Sequence, residues 1–443
     1  MKAKIELKKS YLRGETKTFS TIIFSKSTLA SFARILLIVF AAESIFLLPF
    51  VIARIFRPTF LDVFQLNNFE LGTLYSTYGI MALLSYVYGG TLADRYPPRK
   101  LMATALIMTA AGGIYLAQFP SYLGLQWLYG YWGFSTIFLF WSAMIKATRN
   151  WGGNKQQGRA FGYLEAGRGL VAASIGVVGV VVFSFLLPED LPTASFEERK
   201  AAFRYVILFA VALASVVGLI VFFYLNEQET KEEVSIPKAN NSFSTIIQVA
   251  KIPSVGLLII IVLCAYCGYK VTDILSLYAS EVMLFDEVEA AKVGSYQMYL
   301  RPLVCVLVGV FADKSSSALW LIRGFVVLCI GSLLFASGWV NAPLSGLFIF
   351  AVVITGIGTY ALRTLYYAAV KEGHIPYAVT GTAVGIISVV GYTPDIFMGP
   401  VMGILLDSSP GITGHQHVFS LLACFSLTGA FASYRFKKMT QKQ

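Results

Sequence analysis

Gly89-Gly90-Thr91-Leu92-Ala93-Asp94-Arg95-Tyr96-Pro97-Pro98-Arg99-Lys100 lies between two apolar runs, residues 71–92 and 101–119. Its charges and paired prolines make a short polar hinge. A hinge this charged cannot enter an apolar core without stranding ions away from water. Two runs of membrane length joined by such a hinge read as antiparallel helices that turn at a water interface. Outward from the hinge, the same alternation of long apolar run and short polar connection continues along the chain.

The 443 residues are 56% hydrophobic and 13% charged, with mean hydropathy +0.68. Soluble domains carry about 25% charged residues. A protein core cannot absorb so much apolar surface, so lipid takes the excess. At about 20 residues per crossing, the pattern predicts spans near 32–53, 70–92, 101–119, 123–145, 161–187 and 204–225, then 254–279, 288–311, 318–340, 343–370, 377–405 and 416–436. A segment crossing lipid alone must satisfy its own backbone hydrogen bonds, which makes each one a helix. The sequence lacks the short alternating strands of a barrel.

A net charge of +11 would suggest nucleic acid in a soluble chain. Here the bases gather between spans, where membrane topology explains them, and no nucleic-acid partner is expected. Lys2, Lys4, Lys8, Lys9, Arg13, Lys17 and Lys26 precede the first span, and Arg435, Lys437, Lys438 and Lys442 lie in or follow the end of the last. Loops on the same side hold Arg95, Arg99, Lys100, Lys146, Arg149, Lys155, Arg159, Lys314 and Lys371, whereas the opposite loops are acidic. This asymmetry predicts two cytoplasmic termini in a bacterial plasma (inner) membrane. No cleavable signal peptide is expected among the basic first 30 residues. Cys264, Cys267, Cys305, Cys329 and Cys424 all sit in apolar segments, where cysteine acts as a small hydrophobe. No metal site and no cofactor are expected.

Asn226 to Asn241 is polar and divides the chain. The expected organisation is an N-terminal segment 1–30, a six-helix bundle 31–225, a connector 226–250, a second bundle 251–437 and a tail 438–443. The halves echo one another. Gly90-Thr91-Leu92-Ala93-Asp94-Arg95 recurs as Gly309-Val310-Phe311-Ala312-Asp313-Lys314, and Phe19-Ser20-Thr21-Ile22-Ile23 recurs as Phe243-Ser244-Thr245-Ile246-Ile247. Parallel repeats of this kind build transporters with a central site between the halves.

These matched loops, the connector and the twelve spans resemble the major facilitator superfamily over nearly all the chain after residue 30. The family motif runs Gly-x-Leu-Ala-Asp-Arg-x-Gly-Arg-Arg/Lys. The chain matches it at Gly90, Leu92, Ala93, Asp94, Arg95, Arg99 and Lys100, and places Pro97-Pro98 where the family usually has glycine, which stiffens the turn. The resemblance implies an all-α integral membrane protein with twelve transmembrane helices in two pseudo-symmetric six-helix bundles. It also implies a gating role for Gly90, Asp94, Arg95, Arg99, Gly309, Asp313 and Lys314. Asp94 would meet a helix end and basic neighbours across the two halves and hold the cytoplasmic side closed, a contact worth about 1 kcal/mol. Simple topology anchoring is the alternative, and it needs no aspartate. Within the superfamily, the hinge Asp94-Arg95-Tyr96-Pro97-Pro98-Arg99 and the run Gly158-Arg159-Ala160-Phe161-Gly162 are similar to the sugar-phosphate permease branch, the organophosphate:phosphate antiporters.

Ionisable groups at membrane depth are costly and usually face a cavity. They fall at Glu43 in span one, Glu165 and Arg168 in span five, Lys270 and Asp273 in span seven, Arg301 in span eight, Arg363 in span ten and Asp395 in span eleven. The interiors of spans three, six and twelve carry none, and Arg323 of span nine lies near an end, in keeping with the four outer helices of the resembled fold. Glu165 with Arg168, and Lys270 with Asp273, have i,i+3 spacing and can pair on one helix face. Arg301 and Arg363 have no local acid. Each needs a distant partner or an anionic ligand, which the guanidinium fork suits. The candidate substrate-binding residues are therefore Arg168, Lys270, Arg301 and Arg363, with Trp141, Tyr360 and Tyr366 as aromatic neighbours. Glu43, Glu165, Asp273 and Asp395 are the candidate carriers of a coupling proton. For Glu43 the alternative is a salt bridge to Arg363 or Lys270. Glycines in spans five and eleven permit close helix contact, and in the resembled fold those two helices meet between the halves. Pro49, Pro302, Pro394 and Pro400 are expected to bend their helices.

Neither a phosphate-binding glycine loop nor a hydrolase motif is present in the sequence, and the three histidines, His374, His415 and His417, fall at span ends or in loops. ATP-driven transport and enzyme activity are not expected. The expected function is secondary active transport of a small, anionic organic solute, driven by protons or by anion exchange, in a monomer whose partners are that solute and the bilayer. The alternatives are an efflux pump of the same fold and a non-transporting solute sensor.

Overall fold

The computed structural model describes residues 26–153, 157–188, 194–225, 243–375 and 379–441. The basic N-terminal segment up to residue 25, most of the central connector and residues 442–443 lie outside the described residues.

Twelve long helical spans are present among the described residues. In the first half they are 26–55, Asn68–Arg95, Pro98–Leu116, 122–152, Gln157–Leu186 and Phe196–Tyr224, numbered here one to six. In the second half they are Pro253–Glu281, 287–313, Ser317–Ala336, Ala342–Leu365, 380–408 and Ile412–Thr440, numbered seven to twelve. Nine of them are long and apolar enough to cross a membrane. Spans two, three and four are diluted by glycines, tyrosines or terminal charges.

Local chemistry sets where spans begin. Spans two, six and eight open with reciprocal capping boxes, Asn67 with Glu70, Ser195 with Glu198 and Asp286 with Glu289, each satisfying orphan N–H groups. The opening hinge is very short. Span two ends at Arg95, Tyr96 and Pro97 are extended, and span three starts with Pro98 in its first turn, where a missing N–H costs nothing.

Spans three and six pack together at one flank, as do nine and twelve at the other, which is the outer placement expected from their uncharged interiors. Large side chains such as Phe185, Trp127 and Phe431 stand exposed on outward faces, where lipid replaces water as their solvent. The second half has one continuous core around Val255, Phe325 and Phe419. The first half is built around Phe56, Phe60 and Phe203 near one end and Ile38, Met102 and Met144 near the other.

The seam between the halves corrects one expectation. Spans five and eleven do not form a pair: span five lies against span eight, and span eleven against span two. The glycines do permit close approach, but to these partners. Gly72 meets the backbone of Gly399, Gly403 meets Phe69, and Gly169 lies under the Arg301 side chain. A second correction concerns His415. Span twelve starts at Ile412, earlier than the hydropathy suggests, because Gly411 turns the chain with φ 76°. His415 is thus inside the helix and fully buried, its Nε2 2.9 Å from Glu281 of span seven.

Candidate functional site

Irregular turns place the charges. Pro49 has no N–H to donate, and span one widens into a π-turn over Leu47–Val51 before resuming at Ile52–Ile55. That turn swings Arg54 inward. Span seven tightens to a 3-10 turn at Thr272–Ile274, which carries Asp273, and span eight does the same at Gln297–Tyr299, just before Arg301. Span eleven breaks between Gly391 and Pro394, just before Asp395. A π-turn in span four, Ser135–Trp141, ends on Trp141. Such departures from α geometry free backbone groups and re-aim side chains, and they recur at functional positions.

The charges gather into two clusters. In the first, Arg168 Nε donates to Glu43 at 3.0 Å and Arg168 Nη1 to Glu165 at 3.2 Å, while Arg301 Nη2 donates to the other Glu165 oxygen at 2.6 Å. Arg168 also lies over the rings of Phe46 and Trp141. Spans one, five and eight are joined, and the Glu165–Arg301 contact crosses the seam. In the second cluster, Asp273 pairs with Arg54 and, at 3.3 Å, with Lys270. Lys270 reaches Asp395 at 3.4 Å, and Asp395 accepts from the Tyr266 hydroxyl at 3.0 Å. The Lys270 ammonium lies 4.8 Å from the Tyr75 ring centre and 5.1 Å from that of Phe50. Spans one, two, seven and eleven are thereby joined across the seam.

Each cluster holds two acids and two bases. Glu43 and Glu165 balance Arg168 and Arg301; Asp273 and Asp395 balance Arg54 and Lys270. This pairing matters because an uncompensated buried charge costs several kcal/mol. Water reaches the site nonetheless: the Glu165 side chain is 42% exposed at mid-span while ion-paired on both oxygens. That exposure faces the recess between the halves, since its partners lie on spans five and eight.

Arg363 sits between the clusters. Its guanidinium stacks 3.9 Å from the Tyr269 ring centre and 5.7 Å from that of Tyr266. Tyr269 accepts a hydrogen bond from Arg54 at 3.0 Å. Nε and Nη1 of Arg363 are buried and have no hydrogen-bond partner among the described residues. Cation–π contact offsets part of its desolvation, but neither face of a ring accepts those N–H groups in the way a carboxylate does.

The expected site residues thus fall into place unevenly. Glu43, Glu165, Arg168, Lys270, Asp273, Arg301, Arg363 and Asp395 form one connected region, and Trp141 borders it. Glu43 pairs with Arg168, not with Arg363 or Lys270. Tyr360 is buried in the core of the second half, while Tyr366 joins a hydroxyl chain with Tyr392. Arg95 and Lys314 at the hinges are exposed. The side chains of Asp94 and Asp313 lie outside the described residues, as does the surrounding of Gly90. Arg54, Tyr266, Tyr269 and Tyr392 were not expected. Tyr266 and Tyr269 had a signal, since each stands four residues before Lys270 or Asp273 and shares that helix face.

The profile described as Major Facilitator Superfamily matches residues 35–400. Inner membrane protein YihN of Escherichia coli (strain K12) is 26% identical over 400 residues, covering 86% of this chain and 90% of its own. Inner membrane protein YqcE of the same organism is 24% identical over 379 residues, covering 84% and 87%. Among solved structures, the nucleoside transporter NupG superimposes with TM-score 0.70 at 15% identity, over 91% of this chain and 99% of that one. A bacterial homologue of the human lysosomal transporter Spinster, inward-facing and unoccupied, gives TM-score 0.71 at 15% identity over 94% and 98%.

Proposed function

The chain belongs to the major facilitator superfamily, and from that premise we propose that it is a secondary active transporter moving a small anionic organic solute by alternating access. One observation carries the reading: in a region where the other buried charges are paired, Arg363 presents two desolvated N–H groups with no acceptor. A carboxylate or similar oxyanion completes them with charge-assisted hydrogen bonds. The resemblance to sugar-phosphate permeases rests on hinge residues, so the substrate is taken from the site itself.

Glu165 is the proposed coupling group. It is open to water and holds Arg301 across the seam. A proton on Glu165 removes that attraction and frees Arg301, so protonation and separation of spans five and eight are linked. Anion exchange reaches the same end if the incoming anion competes with Glu165 for Arg301. The two rocking bodies are residues 31–225 and 251–437, joined by 226–250. The charged hinges around Asp94 and Asp313 are the proposed gate at the end where both termini lie. The Lys and Arg excess at that end supports its being cytoplasmic, and the two similar inner membrane proteins support an inner-membrane location.

The test is flux into proteoliposomes, with thermal shift of purified protein as a binding readout. Arg363→Gln is expected to weaken anion binding roughly ten- to a hundredfold, the scale of a lost charged hydrogen bond of about 1.5–3 kcal/mol, without impairing insertion. Glu165→Gln should retain counterflow but lose acceleration by a pH gradient. Stabilisation only by apolar cations would overturn the anion reading.

A further inference from the structure

Charge and hydroxyl accounting together narrow the solute. Glu43, Glu165, Asp273 and Asp395 are matched by Arg168, Arg301, Arg54 and Lys270. Arg57, deeper toward the end opposite the termini, donates twice to Asn68, which itself donates to Asp407, so that base also has an acid in its chain. Arg363 is left over, and with every carboxylate ionised the recess carries one excess positive charge.

A row of hydroxyls lies next to it. The Arg363 guanidinium is over Tyr266, whose ring centre is 4.8 Å from that of Tyr392. Tyr367 donates to Tyr392 at 3.0 Å and contacts Ser388 at 2.7 Å, and Tyr366 meets Tyr392 at 3.3 Å. A phenol has one proton to give. If Tyr366 gives its proton to Tyr392, the proton of Tyr392 has no acceptor in this row. If Tyr392 gives its proton to Tyr366, the proton of Tyr366 has none. Either way one phenolic donor, with unused oxygen lone pairs beside it, is available to an occupant of the recess. Tyr266, Tyr367 and Tyr392 are all partly accessible.

We infer that the solute is a hydroxylated organic acid of charge −1, its acid group on Arg363 and its hydroxyls on the Tyr366–Tyr392–Tyr367 row. This rests on the anion-transport reading and sharpens it. A dianion would bring one charge more than the ionised site can balance. An acid without hydroxyls would leave the phenol row unsatisfied, and loss of a buried partner is where polar sites discriminate most strongly.

The experiment is calorimetric titration of the purified full-length protein at pH 7.5 with gluconate, glycerate, hexanoate, glucose and glucose 6-phosphate. Gluconate or glycerate should bind at least tenfold tighter than the other three. Tyr392→Phe should narrow the preference for gluconate over hexanoate at least threefold, while Arg363→Gln should abolish binding of both acids. Tyr392→Phe serves as the independent check if Arg363→Gln does not yield folded protein. Tighter binding of glucose 6-phosphate than of either hydroxy acid overturns the charge count and leaves anion transport standing. Equal binding of gluconate and hexanoate overturns the hydroxyl assignment. Binding of glucose alone, or of none of the acids, overturns both this inference and the anion reading beneath it.

Discussion

The two ends of the seam are built from different chemistry. At the end away from the termini, the halves touch backbone to backbone and are tied by ions. Asp407 of span eleven accepts from the backbone N–H groups of Asn68 at 3.1 Å and Phe69 at 2.8 Å, so it caps the start of span two. Arg199 reaches Glu287 at 2.9 Å, and Thr59 donates to the same carboxylate at 3.1 Å. At the other end, Arg95 and Lys314 are exposed, and a side chain at Gly309 or Gly385 would meet open space. Span eleven makes the contrast within one helix. Its part Pro394–Ser408 lies along span two, whereas Thr380–Gly391 packs on span seven of its own half. The closed end thus uses an aspartate on a helix N-terminus from the second half to the first. The motif end offers Asp94 for the mirror-related contact, from span two toward span eleven. One helix pair carries a potential latch at each end, and only the end opposite the termini is engaged here.

Breaking the closed end at its tightest point has the largest expected effect. Gly72 and Gly399 have no room for a side chain between their backbones. Gly72→Leu should hold the end apart, since overpacking costs about 1–3 kcal/mol. Transport should fall at least tenfold while membrane insertion is retained. A cysteine at Ser76, whose hydroxyl donates to the Ile396 carbonyl across the seam, should become alkylated faster from the side opposite the termini. Unchanged flux would mean that closure of this end is not part of the cycle.

Asp407→Asn is a gentler test. It keeps shape and removes charge, so the cap on span two weakens by about 1 kcal/mol. The same Ser76→Cys labelling should rise roughly fivefold, the population shift that this energy implies. If Asp94→Asn at the opposite hinge lowers labelling of that position while Asp407→Asn raises it, the two latches are in opposition. If both move it the same way, the mirror relation fails.

The fold was largely legible because lipid imposes a length rule. The expected spans agree with the observed helices to within a few residues at most ends, and the boxes Asn67–Glu70, Ser195–Glu198 and Asp286–Glu289 are visible as local patterns. The eight charges of the site were legible for the same reason: an ion in an apolar run has nowhere else to go. Their partners were not. Nothing in the spacing of Glu43 distinguishes Arg168 from Arg363, because that choice is made by helix packing. Arg54 escaped because span one was expected to stop at residue 53. The apolar run through Ile55 and Phe56 was the available signal, and the π-turn at Pro49 is what carries the helix on and turns Arg54 inward. Asp407 resembled an ordinary span-end acid, and its role exists only once the N-terminus of span two lies against it.

The smallest expected effect sharpens the comparison most. Arg199 pairs with both Glu287 and Asp62, yet its side chain is 30% exposed. Exposed pairs contribute about 0–1 kcal/mol and are screened by salt. Arg199→Ala should therefore raise Ser76→Cys labelling less than about threefold, and the increment should shrink as salt rises from 0.05 to 0.5 M (an approximate range chosen to shorten the Debye length from about 14 to about 4 Å). The Asp407→Asn effect should persist across that range, because its acceptor bonds are made to backbone N–H groups and not to a mobile surface base. Equal salt sensitivity in the two variants would mean that the end is held by surface charge alone. A difference would place the latch in the helix cap, with Arg199 as a weaker outer tie.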